Sequence, residues 1–145
     1  MFKHILLPTD GSPLSESAIQ QSILLAKTLG AKVTGLYVIP EYHTFTWQAE
    51  MLTDTSGDFE KFSLAQAEKF LAVIREQAKE AGVTASFLHV TNEHPYEAII
   101  KAADDKQCDL ITMASHGRKG MQGFLIGSET QKVLVHSKVP VLVYR

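Results

Sequence analysis

The segment His4–Pro13 reads HILLPTDGSP and sets the pattern that the rest of the chain follows. Its first half is apolar, and its second half consists of residues that favour turns and helix starts. Ser12 is an expected N-cap, and Pro13 suits the first position of a helix. The segment therefore predicts a strand over His4–Pro8, a tight turn, and a helix that ends at Gly30.

Strand and helix patterns alternate along the remaining sequence. Apolar and β-branched runs predict strands at 32–39, 84–90, 109–114 and 139–144. Apolar residues at a period near 3.6 predict helices at 58–82, 95–106 and 127–136. Residues 41–57 have no clear period, so we interpret them as a long connection that forms a lid or a partner surface.

This alternation indicates an α/β fold in which a parallel five-stranded sheet is covered by helices on both faces. Right-handed crossovers and the need to reverse direction once favour the strand order 3-2-1-4-5. Ligands of such sheets bind outside the carboxyl ends of the strands at the reversal. The expected crevice is therefore lined by residues 8–12 and 114–128.

Length and composition limit the class of protein. The 145 residues are 45% hydrophobic and 21% charged, which suffices for one core without disulfides or a structural metal. A net charge of −2 argues against a nucleic-acid binder with a broad basic face. We find no apolar run long enough for a membrane span or an export signal. Together with the single Cys108, expected to be a buried apolar residue, this favours a cytoplasmic location.

The segment after the fourth strand, Ser115–Ser128, reads SHGRKGMQGFLIGS and is the most informative part of the chain. Its four glycines allow close approach to backbone N–H groups, and it leads into a helix N-terminus, which favours an anion. Arg118 and Lys119 add positive charge, and residues 110–128 contain no acid. The segment indicates a phosphate site, or else a solvated loop whose glycines serve turns. It matches neither the Walker motif nor the dinucleotide fingerprint.

Asp10 follows the first strand and is expected opposite that loop. Its carboxylate can accept hydrogen bonds from ribose or an adenine amino group, or help to hold Mg²⁺. The alternative is that Asp10 caps the turn at Gly11 or the first helix. The two segments together suggest a nucleoside on one side of the crevice and phosphates on the other.

Other residues carry weaker signals. The six histidines lack the spacing of metal ligands. We do not interpret Ser115 and His116 as a nucleophile and base, because neighbours on a loop rarely point at each other and no nucleophile elbow is present. The serines at 12, 15 and 17 either bind a flavin phosphate or serve as helix-cap and surface residues.

The segments ILLPTDGS (5–12), LYV (36–38) and SHG (115–117), with Gly127 and Ser128 ten residues further on, resemble the universal stress protein family. The resemblance covers essentially the whole chain and implies one Rossmann-like domain over residues 1–145. Many members bind ATP through the motif G-x-x-G-x(9)-G-[S/T]. Here that motif runs from position 114 to 128, with Ala114 in place of the first glycine.

The resemblance also implies which residues contact the nucleotide. Gly117, Gly127 and Ser128 would cradle the phosphates, and Met113 and Ala114 would pass near the ribose. The adenine end would be formed by Pro8, Thr9, Asp10 and Val38. His116, Arg118 and Glu129 complete the expected set. The expected ligand is ATP, or ADP or AMP, with or without Mg²⁺.

The resemblance implies a dimeric regulator or sensor of stress responses rather than a fast enzyme. Any ATP hydrolysis is expected to be slow, because no general base with an orienting partner is visible near the γ-phosphate. The strand at 139–144 is expected at a sheet edge, where it builds the homodimer. A nucleotide-free interaction protein and a flavin-binding module are the alternative functions.

Overall fold

Five strands and four helices alternate in the computed structural model, which describes residues 1–41, 56–117 and 126–145. The strands are β1 (His4–Thr9), β2 (Lys32–Ile39), β3 (Ala85–Thr91), β4 (Leu110–Ala114) and β5 (Val141–Tyr144). The helices are α1 (Pro13–Leu29), α2 (Ser56–Ala81), α3 (Pro95–Asp105) and α4 (Ser128–His136). In these parts of the chain, no helix is long and apolar enough to cross a membrane.

The strands form one parallel sheet in the order β3-β2-β1-β4-β5, which confirms the predicted topology. The central strand β1 pairs with β2 from His4↔Lys32 to Thr9↔Tyr37. On its other side it pairs with β4 at Ile5↔Leu110 and Leu6↔Ile111. The order of the strands reverses between β1 and β4, so the carboxyl ends of these two strands are where a ligand crevice is expected.

Each face of the sheet has its own apolar core. On one face, Ile5 and Leu7 of β1 are buried with α1 and α2 residues such as Ile19 and Ile74. On the other, Leu6 is buried with Ile99 of α3 and Val133 of α4. Successive side chains of β1 therefore point to opposite cores, as in a strand covered on both faces.

The caps of α1 agree with the sequence prediction. Ser12 is the N-cap, and its hydroxyl oxygen accepts a hydrogen bond from the Ser15 N–H at 3.2 Å. At the other end, Gly30 adopts the left-handed conformation (φ +65°) and donates its N–H to the carbonyls of the last turn. These caps fix where α1 begins, and hence the turn that connects it to β1.

Element ends differ from the prediction by one or two residues. The strand β5 starts at Val141 rather than 139, because the Ser137 hydroxyl bonds both the carbonyl (2.7 Å) and the N–H (3.2 Å) of Val139 in a turn. Helix α2 starts at Ser56 instead of 58. Most of the proposed 41–57 connection lies outside the described residues, so its role stays a prediction.

A polar network links the amino ends of the strands, opposite the crevice. His4 Nε2 lies 2.7 Å from Thr34 Oγ1, which lies 2.9 Å from Ser86 Oγ. The Asp109 carboxylate accepts hydrogen bonds from the backbone N–H groups of residues 3 and 4 at 2.9–3.1 Å. The neighbouring Cys108 is 5% exposed, and burial, with the adjacent Asp109 charge, raises its thiol pKa to about 11. The thiol is thus the inert apolar group that the sequence predicts.

Candidate functional site

The turn after β1 is held by hydrogen bonds from side chains to the backbone. Thr9 Oγ1 accepts from the Gly11 N–H at 3.2 Å and from the Ser15 hydroxyl at 3.1 Å. Asp10 Oδ1 accepts from the Ser12 N–H at 2.9 Å. Gly11 has a φ of +79°, which glycine reaches at little cost. One oxygen of Asp10 therefore caps the turn, which is the alternative to nucleoside binding that the sequence offers.

The second oxygen of Asp10 faces the loop after β4. A Cβ built on Gly117 would overlap Asp10 Oδ2, so the loop backbone passes directly against this carboxylate. The two segments predicted to line the crevice therefore meet at Asp10 and Gly117. Only a residue without a side chain fits at position 117 while Asp10 keeps this place.

A short hydrogen bond closes the base of the β4–α4 loop. The Gly127 N–H donates to the Ser115 carbonyl at 2.7 Å. A Cβ on Gly127 would lie 3.2 Å from that oxygen and 3.3 Å from His116 Cα, which is unusually tight. Gly127 thus serves the loop by its small size, since its own amide is used within the protein.

The first turn of α4 supplies backbone donors beside this closure. Gly127 is the N-cap and has no side-chain oxygen to bond the first amides. The N–H groups of Ser128 and Glu129 have no acceptor within the helix, because an α-helix leaves its first N–H groups unpaired. Together with the helix dipole, these donors favour an anion next to the loop.

Three of the predicted residues form an apolar wall on the face covered by α3 and α4. Met113 and Val38 belong to the same apolar cluster, and Pro8 is in register with Leu36 of that cluster. Thr9 lies on the opposite face, where its hydroxyl bonds Ser15 of α1. The Thr9 side chain therefore holds the turn instead of lining the wall.

Ala114, which replaces the first motif glycine, keeps a negative φ: in the described residues the positive-φ non-glycine position is Gln107. Its carbonyl accepts a hydrogen bond from Thr130 Oγ1 at 3.0 Å, which ties the end of β4 to α4. Because side chains alternate along a strand, the Ala114 methyl points to the face opposite Met113. The methyl group therefore does not obstruct the apolar wall.

Ser115 and His116 do point at each other, so the sequence argument against this contact was wrong. Ser115 Oγ lies 2.9 Å from His116 Nδ1. However, Ser115 is 2% exposed, so its hydroxyl has no access to a substrate. His116 Nε2 is buried without a hydrogen-bond partner in the parts of the chain that are described. The pair supports the loop and gives no evidence of nucleophilic catalysis.

The Glu129 side chain is engaged with the first turn of α3. Its Oε2 accepts a hydrogen bond from the Tyr96 N–H at 2.9 Å, and its Oε1 lies 3.4 Å from Lys132 Nζ. It thereby caps α3, whose N-cap residue His94 makes no side-chain cap bond. Sequence reasoning missed this cap, although a helix start without Ser, Thr, Asp or Asn is a signal that a distant acceptor is needed. Any contact of Glu129 with a phosphate would use its backbone N–H.

The serines at the start of α1 are poor candidates for a flavin phosphate. Ser12 and Ser15 are buried, and both hydroxyls are bonded within the turn. Arg118 and Lys119 lie outside the described residues, and their contribution to the β4–α4 loop stays a prediction. Within residues 1–41, 56–117 and 126–145, no cluster of three or more His, Cys, Asp or Glu could hold a metal ion.

A family model described as the universal stress protein family matches residues 1–145. The chain belongs to the universal stress protein family. Universal stress protein MJ0577 of Methanocaldococcus jannaschii is 32% identical to it over 157 residues, which is 100% of this chain and 96% of the relative. The solved structure of MJ0577 has a TM-score of 0.83 at 29% identity and covers 99% of this chain and 95% of that one.

Two more distant universal stress protein structures share the fold and contain adenine nucleotides. One is a complex with cAMP, with a TM-score of 0.69, 23% identity, and coverage of 99% of this chain and 97% of the other. The second, from Archaeoglobus fulgidus, is a complex with dAMP, with a TM-score of 0.70, 15% identity, and coverage of 100% and 98%. At these identities the likeness concerns the fold of this universal stress protein.

Proposed function

We propose that this universal stress protein binds an adenine nucleotide, ATP or one of its products ADP and AMP, in the crevice between the β1 turn and the β4–α4 loop. The observation that carries the proposal is the contact of Asp10 with Gly117 beside the N-terminus of α4. It supports the proposal because it brings a carboxylate acceptor close to the backbone donors at the start of α4. The carboxylate can accept hydrogen bonds from a nucleoside, and the backbone donors can bind phosphates.

The adenine end of the proposed site combines apolar and polar groups. Pro8, Val38 and Met113 offer an apolar surface for the flat base. Asp10 accepts hydrogen bonds from ribose hydroxyls or the adenine amino group, and can contribute to a Mg²⁺ that accompanies the phosphates. Apolar surfaces with a few placed polar groups are typical of small-molecule sites.

The phosphate end relies on backbone groups and on the absence of side chains. Gly117 and Gly127 occupy positions where a Cβ would meet Asp10 or the loop backbone. The first amides of α4 supply donors, and Arg118 is proposed to add charge. The His116 imidazole, whose Nε2 has no partner among the described residues, is a further polar group at this end.

The Ala114 replacement is compatible with this arrangement, because the methyl group lies on the face opposite Met113. The related structures with cAMP and dAMP support an adenine nucleotide rather than a flavin. We therefore favour nucleotide binding over a nucleotide-free interaction protein of the same fold.

The role that we propose for the bound nucleotide is regulatory. The Ser115 hydroxyl is buried, and Asp10 is assigned to the nucleoside end of the site, so we expect any hydrolysis of ATP to be slow. We propose that the protein works in the cytoplasm as a homodimer joined through β5. The position of β5 at the sheet edge and the 38% exposure of Leu142 support this assembly.

The test is to denature the purified protein and identify any released nucleotide, then to measure thermal shifts with Mg-ATP, ADP, AMP and GTP. The proposal predicts a released adenine nucleotide, or stabilisation by adenine nucleotides well above that by GTP. Neither release nor an adenine-dependent shift would contradict nucleotide binding and favour the nucleotide-free interaction protein.

A further inference from the structure

Phe70, on the helix α2, lies against the turn that carries Asp10. A Cβ on Gly11 would overlap three atoms of the Phe70 ring, so the ring packs flush on the Gly11 backbone. Phe70 is 6% exposed, and its ring centroid lies 5.5 Å from that of Tyr37 at the end of β2. The ring therefore fills the space between α2, β2 and the β1 turn.

The Gly11 backbone is the point at which this packing reaches the proposed site. The residue before Gly11 is Asp10, whose carboxylate bonds the Ser12 N–H and lies against Gly117. A shift of Gly11 toward space left by the ring would rotate Asp10 and loosen both contacts. The position of the carboxylate thus depends on a side chain that does not itself line the crevice.

We propose that Phe70 is a positioning residue for nucleotide binding: its ring holds the Gly11 turn so that the Asp10 carboxylate faces Gly117. The proposal rests on the proposed function for its effect on affinity, and on the turn itself for its effect on the structure. Because coupling between two sites is reciprocal, nucleotide binding also steadies the Phe70 contact and with it α2.

Two variants separate this role from general support of the core. Phe70→Leu keeps an apolar side chain but loses the flat ring against Gly11. Leu71→Ala is the control, because Leu71 is the next residue on α2, is 1% exposed, and belongs to the core between the sheet and helices α1 and α2. If Phe70→Leu does not fold, Phe70→Met takes its place, because the flexible methionine side chain can fill the space of the ring without its flat face.

The first measurement is the affinity for ATP. The second is the hydrogen-exchange rate of the Gly11 and Ser12 amides without nucleotide. For both measurements, the temperature is adjusted so that the variants have equal global stability. We expect Phe70→Leu to weaken ATP binding about tenfold and to speed exchange of both amides, while Leu71→Ala changes neither beyond its loss of stability. Equal affinity and equal exchange in the two variants would overturn the proposal. If the wild type binds no nucleotide, the proposed function fails, and the exchange data still decide whether Phe70 holds the turn.

Discussion

Thr34 and Thr112 are both buried in the sheet, but their hydroxyl groups have different surroundings. Thr34 Oγ1 bonds His4 and Ser86, whereas Thr112 Oγ1 has no hydrogen-bond partner among the described residues. A buried hydroxyl without a partner costs free energy, and a methyl of the same shape does not. Thr112→Val should therefore raise the free energy of unfolding by about 1 kcal/mol.

Thr34→Val is the matched control and should lower the free energy of unfolding by about 1–3 kcal/mol, because it leaves the buried His4 Nε2 without its hydrogen-bond partner. Urea denaturation of both variants measures the two changes. A loss of stability in Thr112→Val would contradict the view that the Thr112 hydroxyl of the wild type is unsatisfied.

Gln107 has a φ of +56°, in the left-handed region where a side chain is strained. It follows α3, where Cys108 N–H bonds the Ala103 carbonyl at 2.8 Å and ends the helix. Glycine is the residue that such helix ends prefer. Gln107→Gly should raise the melting temperature and add about 1 kcal/mol of stability.

Lys106→Gly is the control for this prediction, since Lys106 has an ordinary φ of −92° and gains nothing from glycine. Thermal unfolding followed by circular dichroism should rank Gln107→Gly above the wild type and Lys106→Gly below it. The reverse order would contradict the strain at Gln107.

At the scale of single residues, sequence patterns predicted which side chains are buried better than they predicted which residues contact each other. The 3.6 period places Phe70 in the core, but no sequence pattern indicates that its ring meets Gly11, 59 positions away in a different element. The Glu129 bond to Tyr96 joins two helices whose relative placement only the folded sheet determines. Local patterns did predict the Ser12 cap, because its partner lies three residues away.

At the scale of elements, the amino ends of the strands form a pH-sensitive region. The pKa of His4 lies below its ordinary value of 6.5, because burial and the nearby Lys32 disfavour the charged imidazole. The Lys106 carbonyl and the Asp109 charge oppose this lowering of the pKa but are weaker than burial and Lys32, and the Lys106 charge adds the smallest lowering. As the pH falls below 6.5, the unfolded chain takes up this proton before the folded chain does.

The free energy of unfolding should therefore fall between about pH 6.5 and the lowered pKa, by about 1.4 kcal/mol for each unit of pKa difference. Replacement by glutamine, His4→Gln, should flatten this part of the profile. Asp109, whose pKa is lowered by hydrogen bonds from backbone N–H groups despite the opposing effect of burial, acts in a separate window near and below 3.8. Urea titrations of the wild type and His4→Gln from pH 5 to 8 check the prediction for His4. Parallel profiles of stability against pH would refute it.

The elements themselves could be predicted because the central strands β1, β2 and β4 are apolar and buried on both faces, and the helices carry regular apolar faces. The ends were less predictable, since they depend on particular hydrogen bonds. Val139 reads as a strand residue by composition, but the Ser137 hydroxyl holds it in a turn. The strand order predicted that the turn after β1 lies near the residues that follow β4, whereas the exact approach of Asp10 to Gly117 could not be predicted.

At the scale of the whole molecule, β5 leaves one edge of the sheet for assembly. Its residue Leu142 is 38% exposed, and an apolar edge strand is suited to pairing with a second copy. Leu142→Lys should convert the proposed homodimer to a monomer without unfolding it. Phe62→Lys is the control, because Phe62 is 62% exposed on α2, which packs near β2 and β3 at the other side of the sheet.

Sedimentation velocity at several concentrations distinguishes the outcomes. The proposal predicts a dimer for the wild type and Phe62→Lys, and a monomer for Leu142→Lys. A monomeric wild type, or a Leu142→Lys variant that remains dimeric, would contradict assembly through β5.

The most direct test of the central claim is calorimetric titration of Mg-ATP into the wild type, Gly117→Ala and Gly57→Ala. A Cβ at position 117 overlaps Asp10 Oδ2, whereas one at position 57 meets nothing within 4 Å. Binding in the crevice predicts one site per chain, unchanged affinity in Gly57→Ala, and at least about tenfold weaker binding in Gly117→Ala, or roughly 1.4 kcal/mol. No heat of binding in the wild type, or equal affinity in all three proteins, would contradict it.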